Sequence, residues 1–439
     1  MATGTLTNAT IKLAHSLGEQ VHLRSIRDAF ATLMPFFIIA GLMVLVNNVF
    51  LKPDNWLADI IGNEAIKSWR TVGEAIINGS LNFIGVLIAA TVSWHLCLNK
   101  NHANPIAPVL LSVATVIVFM PDTISAALVA GKENVQVTGA LSYSSTGTSG
   151  MFLGMITGLL VTTVFIRLLK SERLKITIAN DGSVPPAVID SFNALIPVCI
   201  TLLIFSLISF SAKYWLGKDI NALIALTIQT PLKNITTDLP GFLFIYTVGN
   251  LFFAIGIHQS VINASILRPG LLASMQENML AYANGDDIPN IINYAFQTTF
   301  GQIGGTGNTL ALLLALFIFS RRQASRNIAK ISFFMGLFNI NEPVIFGLPI
   351  VFNPILIVPF ILSPVISLTL AWLVTLWGWM DPVVIQIPWT TPPLISGFLA
   401  TGGDWRAVVF QLVIIVMMVM LYLPFIKLSE RVHTLNASD

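Results

Sequence analysis

Long apolar runs separated by short polar segments dominate this chain. A bilayer crossing takes about 20 mainly apolar residues. Runs of that kind lie at 29–50, 75–98, 105–120, 150–169, 190–215, 240–258, 306–320, 354–378 and 405–427. Three further stretches, 269–304, 331–353 and 383–400, are apolar but interrupted by proline, glycine and asparagine. The first 28 residues are polar and mildly amphipathic, and the first apolar run is too long and wrongly flanked for a cleavable signal peptide. The pattern predicts an all-α, polytopic membrane protein.

Basic residues give the orientation, because they accumulate on the cytoplasmic side. Lys12, Arg24 and Arg27 put the N-terminus there, Arg167, Lys170, Arg173 and Lys175 a middle loop, Arg321, Arg322, Arg326 and Lys330 a later one, and Lys427 and Arg431 the C-terminus. Five spans from an inside start leave residues 214–239 outside, and the sixth returns the chain. The segment 259–320 must then cross an even number of times, so either 288–304 is a second, broken crossing or the segment contains a re-entrant hairpin. The same arithmetic suits 331–353 as a hairpin that enters and leaves on one side. The expectation is about ten spans plus one or two re-entrant hairpins.

Composition agrees, with 55% hydrophobic and 10% charged residues and a mean hydropathy of +0.79. A net charge of +2 points away from a nucleic-acid partner. Cys97 and Cys199 both fall in apolar runs, so neither a disulfide framework nor a metal site is indicated. No zinc spacing, nucleophile elbow or P-loop is present. Without an organelle address, the expected location is a bacterial plasma membrane.

The spans of the first half are comparatively uninterrupted, whereas glycine clusters and proline-broken segments gather in the second. We expect a cytoplasmic segment at 1–28, a scaffold or oligomerisation domain at 29–215, a connection at 216–239 whose Ile220–Ile228 run suits an interfacial helix, and a transport domain at 240–439.

The most informative stretch is Asn-Ile-Asn-Glu-Pro-Val-Ile-Phe-Gly-Leu-Pro at 339–349. It sets the carboxylate Glu342 among apolar residues and prolines, which break helix. Irregular backbone at membrane depth is tolerated where it lines a cavity or is buried in protein, and an ionisable residue there usually binds or moves something. Glu342 offers two acceptor oxygens, enough to bridge neighbouring sugar hydroxyls; the plainer role is capping a half-helix or pairing with a base. Asn339 and Asn341 can donate to the same ligand or cap a broken helix end. His258, followed by Gln259, can hold and deprotonate a hydroxyl or bond a backbone carbonyl. Asn250, Asn263 and Arg268 make a polar face nearby. The run Gly301-Gln302-Ile303-Gly304-Gly305-Thr306-Gly307-Asn308 either unwinds beside a ligand, with Gly305 at its centre, or packs tightly. Trp389, on interrupted backbone, can stack on a sugar ring, whereas Trp377 and Trp379 suit an interfacial belt. Trp94 and His95 read as structural.

On these motifs, with Gly256-Ile257-His258-Gln259 and the order of spans, nearly the whole chain resembles enzyme IIC, the sugar-translocating subunit of the bacterial phosphoenolpyruvate-dependent phosphotransferase system. Within it, the likeness is to the lactose/cellobiose/N,N′-diacetylchitobiose group. The resemblance implies a homodimer built on the N-terminal domain and a C-terminal domain that carries a disaccharide in an elevator motion. It matches the family's glutamate and histidine to Glu342 and His258, around the 6-hydroxyl that a phosphorylated IIB, charged through IIA, converts to a phosphate ester. The complex is then an enzyme, although this chain has no phosphoryl-carrying residue and needs no cofactor. The chain ends soon after its last span, so IIB is expected to be a separate polypeptide, which favours a β-linked glucose-type disaccharide over lactose. The competing reading is a proton-coupled sugar symporter in which Glu342 and His258 relay protons.

Overall fold

The apolar runs become helices in the computed structural model, which describes residues 20–53, 56–127, 134–147, 150–174, 176, 186–254, 259, 263–348, 350 and 353–436. The chain is 78% helical, as an all-α membrane protein requires. Among the described residues, six helices are long and apolar enough to cross a bilayer, within Val21–Phe50, Asn63–Asn99, Gly150–Leu169, Ser191–Leu216, Pro354–Leu376 and Trp405–Arg431. Shorter apolar helices occupy Ile106–Phe119, Leu239–Phe253 and Thr309–Phe319. Each of the nine apolar runs in the sequence therefore corresponds to a helix. The described strands form a two-stranded antiparallel ribbon, Thr123–Ala127 with Asn134–Thr138, in which Thr123 faces Thr138.

By packing, the chain divides into two compact units. One comprises Ile77–Leu232 with the start of the Val21–Leu45 helix, and the other Lys233–Asp439 with Ile38–Ile76.

The first unit is a bundle of near-continuous helices. Gly150, Gly154 and Gly158 line one face of the Gly150–Leu169 helix at four-residue spacing. That face meets the Ile84–Asn99 helix so closely that a Cβ on Gly154 would lie 2.0 Å from the Gly85 carbonyl oxygen. Small residues permit this backbone approach, a common way to join membrane helices. The core continues through Leu111, Val116, Leu153, Val161 and Phe165, and Phe119 meets Phe205 edge-on at 5.9 Å. Its buried polar groups are mostly hydroxyls, such as Ser93 and Thr162, 2.6 Å apart. His95 pairs with Thr32 at 2.8 Å, which fits a structural role. The connection from 216 begins with the Ile220–Ile224 helix, N-capped by Asp219, and passes into a π-helical turn at Ala225–Gln229.

The second unit is built from broken helices. Arg268–Asn284 ends at Gly285, extended chain follows, and Tyr294–Gly301 resumes the helix. Gln323–Leu337 is followed by the short Glu342–Gly347 helix. A Cβ on Gly347 would sit 2.8 Å from Ile328 Cγ2, so the short helix folds back along the long one. Residues 381–394 form no regular secondary structure before the Ile395–Ala400 helix. Buried amides supply what this backbone lacks: Asn278 and Asn293 both donate to the Val383 carbonyl, each at 2.9 Å. Val384 and Ile385 donate to the Ala400 carbonyl at 2.8 and 3.0 Å.

Candidate functional site

The second unit's interruptions meet at the glycine-rich turn between Tyr294–Gly301 and Thr309–Phe319. Gly304, Gly305 and Gly307 adopt φ of +81°, +97° and +78°, and Asn308 joins them in the left-handed region at +52°. At Gly305 the requirement is also spatial, because a Cβ would fall 2.6 Å from Asn341 Cγ and 2.8 Å from the Asn339 carbonyl oxygen. Asn308 closes the turn on itself: its Oδ1 accepts from Ile303 N at 2.9 Å, and its Nδ2 donates to Ser367 Oγ at 3.0 Å. The Gly307 carbonyl accepts from Ser363 Oγ at 3.1 Å and from the Tyr422 hydroxyl at 2.6 Å. The turn is thus anchored on two of the helices packed around it.

The sequence candidates converge on this turn. Asn339, itself left-handed at φ +62°, accepts from Gly304 N at 2.8 Å. Its Nδ2 donates to the carbonyl oxygens of Trp389 and Thr391 at 2.6 and 3.2 Å. Asn341 donates to the Thr306 carbonyl at 2.9 Å. It stands at the N-cap position of Glu342–Gly347, but its side chain makes no capping bond. Both asparagines thus stitch backbone segments together. Gln259 Nε2 donates to Thr306 Oγ1, and Gln259 Oε1 accepts from Asn263 Nδ2 at 3.0 Å. Asn263 opens the π-helical turn Asn263–Leu267 and lies against Gly249, where a Cβ would be 2.3 Å from its Oδ1. π-Turns recur at functional positions in helices.

Gln259, Gly305, Asn339, Asn341 and the Trp389 backbone therefore share one hydrogen-bonded cluster. The Trp389 side chain is 47% exposed, free to meet a ligand. Asn250 is fully buried on the Leu239–Ala254 helix. Its amide approaches the Tyr246 hydroxyl without reaching hydrogen-bonding geometry, so both of its polar atoms lack a partner among the described residues. Tyr246 donates instead to the Gly301 carbonyl at 3.1 Å, which ties this helix to the start of the turn. Glu342 follows Asn341 at the first position of its helix, with Pro343 beside it where a missing N–H costs nothing; it is described by its backbone alone. His258 lies outside the described residues, next to Gln259. Arg268 turns its guanidinium over the Tyr294 ring, 5.6 Å from the centroid.

Thr306 and Gln411 were not singled out from sequence. Thr306 receives bonds from both Gln259 and Asn341, and it lay within the quoted glycine run. Gln411 is fully buried in the Trp405–Asn436 helix. It accepts from Leu394 N and Gly397 N at 2.7 and 3.0 Å, and donates to the Thr299 carbonyl and Ser396 Oγ at 2.9 and 3.0 Å. Leu394, at φ +72°, is a strained conformation for a branched side chain, and Gln411 holds it. A lone glutamine in an apolar span was the available signal.

Chemically, the turn is a pre-organised polar seat of amides, hydroxyls and backbone groups, with a carboxylate-bearing residue at its edge. Among the described residues no group of three or more His, Cys, Asp or Glu is placed to hold a metal, and Cys97 and Cys199 are free thiols.

Residues 27–364 match the family profile described as "Phosphotransferase system, EIIC". The chain belongs to this family and is an EIIC component of its lactose/cellobiose/chitobiose group, a multi-pass membrane protein that works within a sugar phosphotransferase system. It is 29% identical to the lichenan permease IIC component of Bacillus subtilis (strain 168), over 99% of this chain and 95% of that one. It is 27% identical to the cellobiose-specific EIIC component of Lactococcus lactis subsp. lactis (strain IL1403), over 96% and 97%. The crystal structure of the transporter ChbC, the IIC component of the N,N′-diacetylchitobiose-specific system, superposes with a TM-score of 0.89 at 29% identity, covering 97% of this chain and 98% of that one.

Proposed function

We propose that this chain carries a β-linked disaccharide, cellobiose or diacetylchitobiose, and presents its 6-hydroxyl to phosphorylated IIB. The observation that carries the reading is the convergence of Gln259, Gly305, Asn339, Asn341 and the Trp389 backbone on one turn, with Glu342 next in sequence. The cellobiose and diacetylchitobiose specificities named for two of the relatives support the substrate class.

In this mechanism Glu342 bridges ring hydroxyls. His258 orients the 6-hydroxyl and takes its proton as the hydroxyl oxygen attacks phosphorus and the phosphorus–sulfur bond to the IIB cysteine breaks, releasing the thiolate. Phosphoryl transfer rests on positioning and electrostatic stabilisation, so the sugar carrier needs no covalent group of its own. The Asn339 and Asn341 bonds keep the 339–342 backbone fixed while the sugar changes charge. Trp389 stacks on a ring, Gln259 and Asn250 contribute amides, and Gly305 lets backbone come close. Phosphorylation makes the product an anion that no longer suits the outward-facing site, so uptake runs one way.

The domain containing 240–439 moves as an elevator against a homodimeric scaffold at 29–215, with 216–239 between them. About ten spans and one or two re-entrant hairpins complete the topology, the folded-back Glu342–Gly347 helix among the hairpins. The membrane is the bacterial plasma membrane, with both termini cytoplasmic.

The test uses purified protein in liposomes loaded with phosphorylated IIB, with radiolabelled cellobiose or diacetylchitobiose outside. Sugar phosphate trapped inside only when phospho-IIB is present is the expected result and ranks the two sugars. Free sugar accumulating without IIB, under a proton gradient alone, would make the chain a symporter.

A further inference from the structure

The junction between the Thr309–Phe319 and Gln323–Leu337 helices concentrates positive charge that the polar turn does not use. Arg322, at the N-cap position of Gln323–Leu337, is followed at four-residue spacing by Arg326 and Lys330, and all three are exposed. Residues four apart on a helix are neighbours, so they form one stripe about 12 Å long. The adjoining face of the helix, through Ser325, Ala329, Ser332 and Gly336, is buried. Arg321 adds a fourth exposed cation at the loop. Glu430, on the Trp405–Asn436 helix, fixes this loop from beside it: the carboxylate accepts from Ser320 Oγ, from Arg321 N at 3.3 Å and from Arg322 N at 3.4 Å. Lys427, a turn before Glu430 and exposed, brings a fifth cation to the junction.

For the chain by itself this arrangement is unfavourable. Like charges four apart on a helix repel, and cations in the first turns oppose the helix dipole. Among the described residues none of Arg321, Arg322, Arg326 and Lys330 forms an ion pair. The excess of basic residues on cytoplasmic loops accounts for their number, but not for a stripe along a packed helix with no acid paired to it.

The helix that carries the stripe leads to the site. It ends at Leu337, two positions before Asn339, and Gly347 packs on Ile328, which falls between Arg326 and Lys330 in sequence. The short Glu342–Gly347 helix spans about 8 Å at 1.5 Å per residue, so Glu342 lies that far beyond the level of Ile328. A cavity of ≈ 250 Å³, lined by Arg322, Ile328, Leu348, Leu356, Ile426 and Glu430 among others, joins the basic loop to the end of that helix. We infer that the Arg322, Arg326 and Lys330 stripe is the docking face for phosphorylated IIB. The inference rests on the proposed function, in which IIB brings a phosphocysteine dianion from the cytoplasm. An open row of cations suits a protein face whose negative charge is concentrated at one phosphoryl group. Exposed charges of this kind act on encounter and orientation more than on the chemical step.

The test measures sugar-phosphate formation by the full-length protein in neutral detergent, at saturating cellobiose or diacetylchitobiose, against phospho-IIB concentration. Arg322→Gln/Arg326→Gln/Lys330→Gln should raise KM for phospho-IIB roughly tenfold, the summed effect of three exposed charge pairs. Its kcat and its Kd for the sugar should stay near wild type, and its KM should respond less to salt. Arg322→Lys/Arg326→Lys, which keeps the charges, should hold KM near the wild-type value. A wild-type melting temperature in the triple variant separates lost docking from lost fold. An unchanged KM in the triple variant overturns the docking face while leaving the proposed function intact. A weakened Kd for sugar overturns it too, by placing the stripe at the sugar. So does an effect seen only in vesicles containing phosphatidylglycerol and absent in detergent, which would make lipid the anion. A wild-type protein that forms no sugar phosphate with phospho-IIB defeats the docking face and the proposed function together.

Discussion

The two compact units are both built from helices, yet they bury polar atoms in different ways. In the unit containing Ile77–Leu232 the buried polar groups are mostly hydroxyls, which turn back on their own helix, as Thr115 does to the Leu111 carbonyl and Thr201 to that of Pro197, or pair with one another, as Ser93 does with Thr162. Helices there meet through glycine. In the unit containing Lys233–Asp439, asparagine and glutamine reach across to the backbone of other segments, as Asn341 does to Thr306 and Gln411 does to Leu394 and Thr299. The cause is the backbone itself. A continuous helix satisfies its own amides, whereas a broken one at membrane depth must find partners or carry a cost of several kcal/mol per group. Amide side chains donate and accept at once, so they suit that repair. The result is a polar turn whose shape the chain itself sets, at the points where the helices break.

The comparison can be broken by substitution, and the largest effect should fall on the repaired backbone. Gln411→Leu keeps an apolar side chain of similar length but orphans Leu394 N, Gly397 N and the Thr299 carbonyl. At about 1–3 kcal/mol per orphaned group, a loss of about 3 kcal/mol or more is expected, read as a lowered melting temperature in detergent. Gly154→Val tests the other unit through shape. With its Cβ only 2.0 Å from the Gly85 oxygen, the helices must part, at about 1–3 kcal/mol. Ser93→Ala, which removes the bond to Thr162, should cost only about 0.6 kcal/mol, the usual worth of a hydroxyl bond between membrane helices. A Ser93→Ala loss equal to that of Gln411→Leu would erase the distinction between the units.

The smallest expected effect is linked to pH. Burial alone would raise the Asp404 carboxyl, but the Arg406 guanidinium and the backbone amides of Asp381 and Arg406 outweigh it and hold the group below its usual range. A carboxyl depressed in the folded state stabilises the protein fully above its unfolded value of about 3.9, and that contribution fades as pH falls through the lower folded value. Melting temperatures of wild type and Arg406→Gln should therefore differ at neutral pH and converge as pH falls through that lower folded value. A constant difference across that range would separate Asp404 from the effect.

The helices were legible in the sequence because a span is a local property. Nine apolar runs sufficed for nine helices, including the short Thr309–Phe319. The ribbon of Thr123–Ala127 with Asn134–Thr138 was not anticipated, because hydropathy singles out apolar runs rather than alternation in a connecting segment. The grouping of Ile38–Ile76 with Lys233–Asp439 carries no local signal, since packing between distant segments decides it. The site was legible where chemistry breaks the apolar pattern: Asn339, Asn341, Gly305 and Gln259 were candidates from their context and do meet on one turn. Their use was not legible. Whether an asparagine faces a ligand or a carbonyl depends on which backbone groups are left unpaired by segments fifty residues away, as Asn339 and Trp389 illustrate. Thr306 passed unnoticed because its role comes from two side chains aimed at it.

The most direct test of the central claim is sugar binding by Glu342→Gln, measured by equilibrium titration with the preferred disaccharide. The protein should first be shown to melt as the wild type does. Replacing an acceptor oxygen by a donor in a seat already fixed by Asn339 and Asn341 should weaken binding roughly 10- to 100-fold, the worth of a hydrogen bond to a charged group. Sugar-phosphate formation with phospho-IIB should fall in parallel. Wild-type affinity in Glu342→Gln would contradict the account and remove the carboxylate from the sugar site.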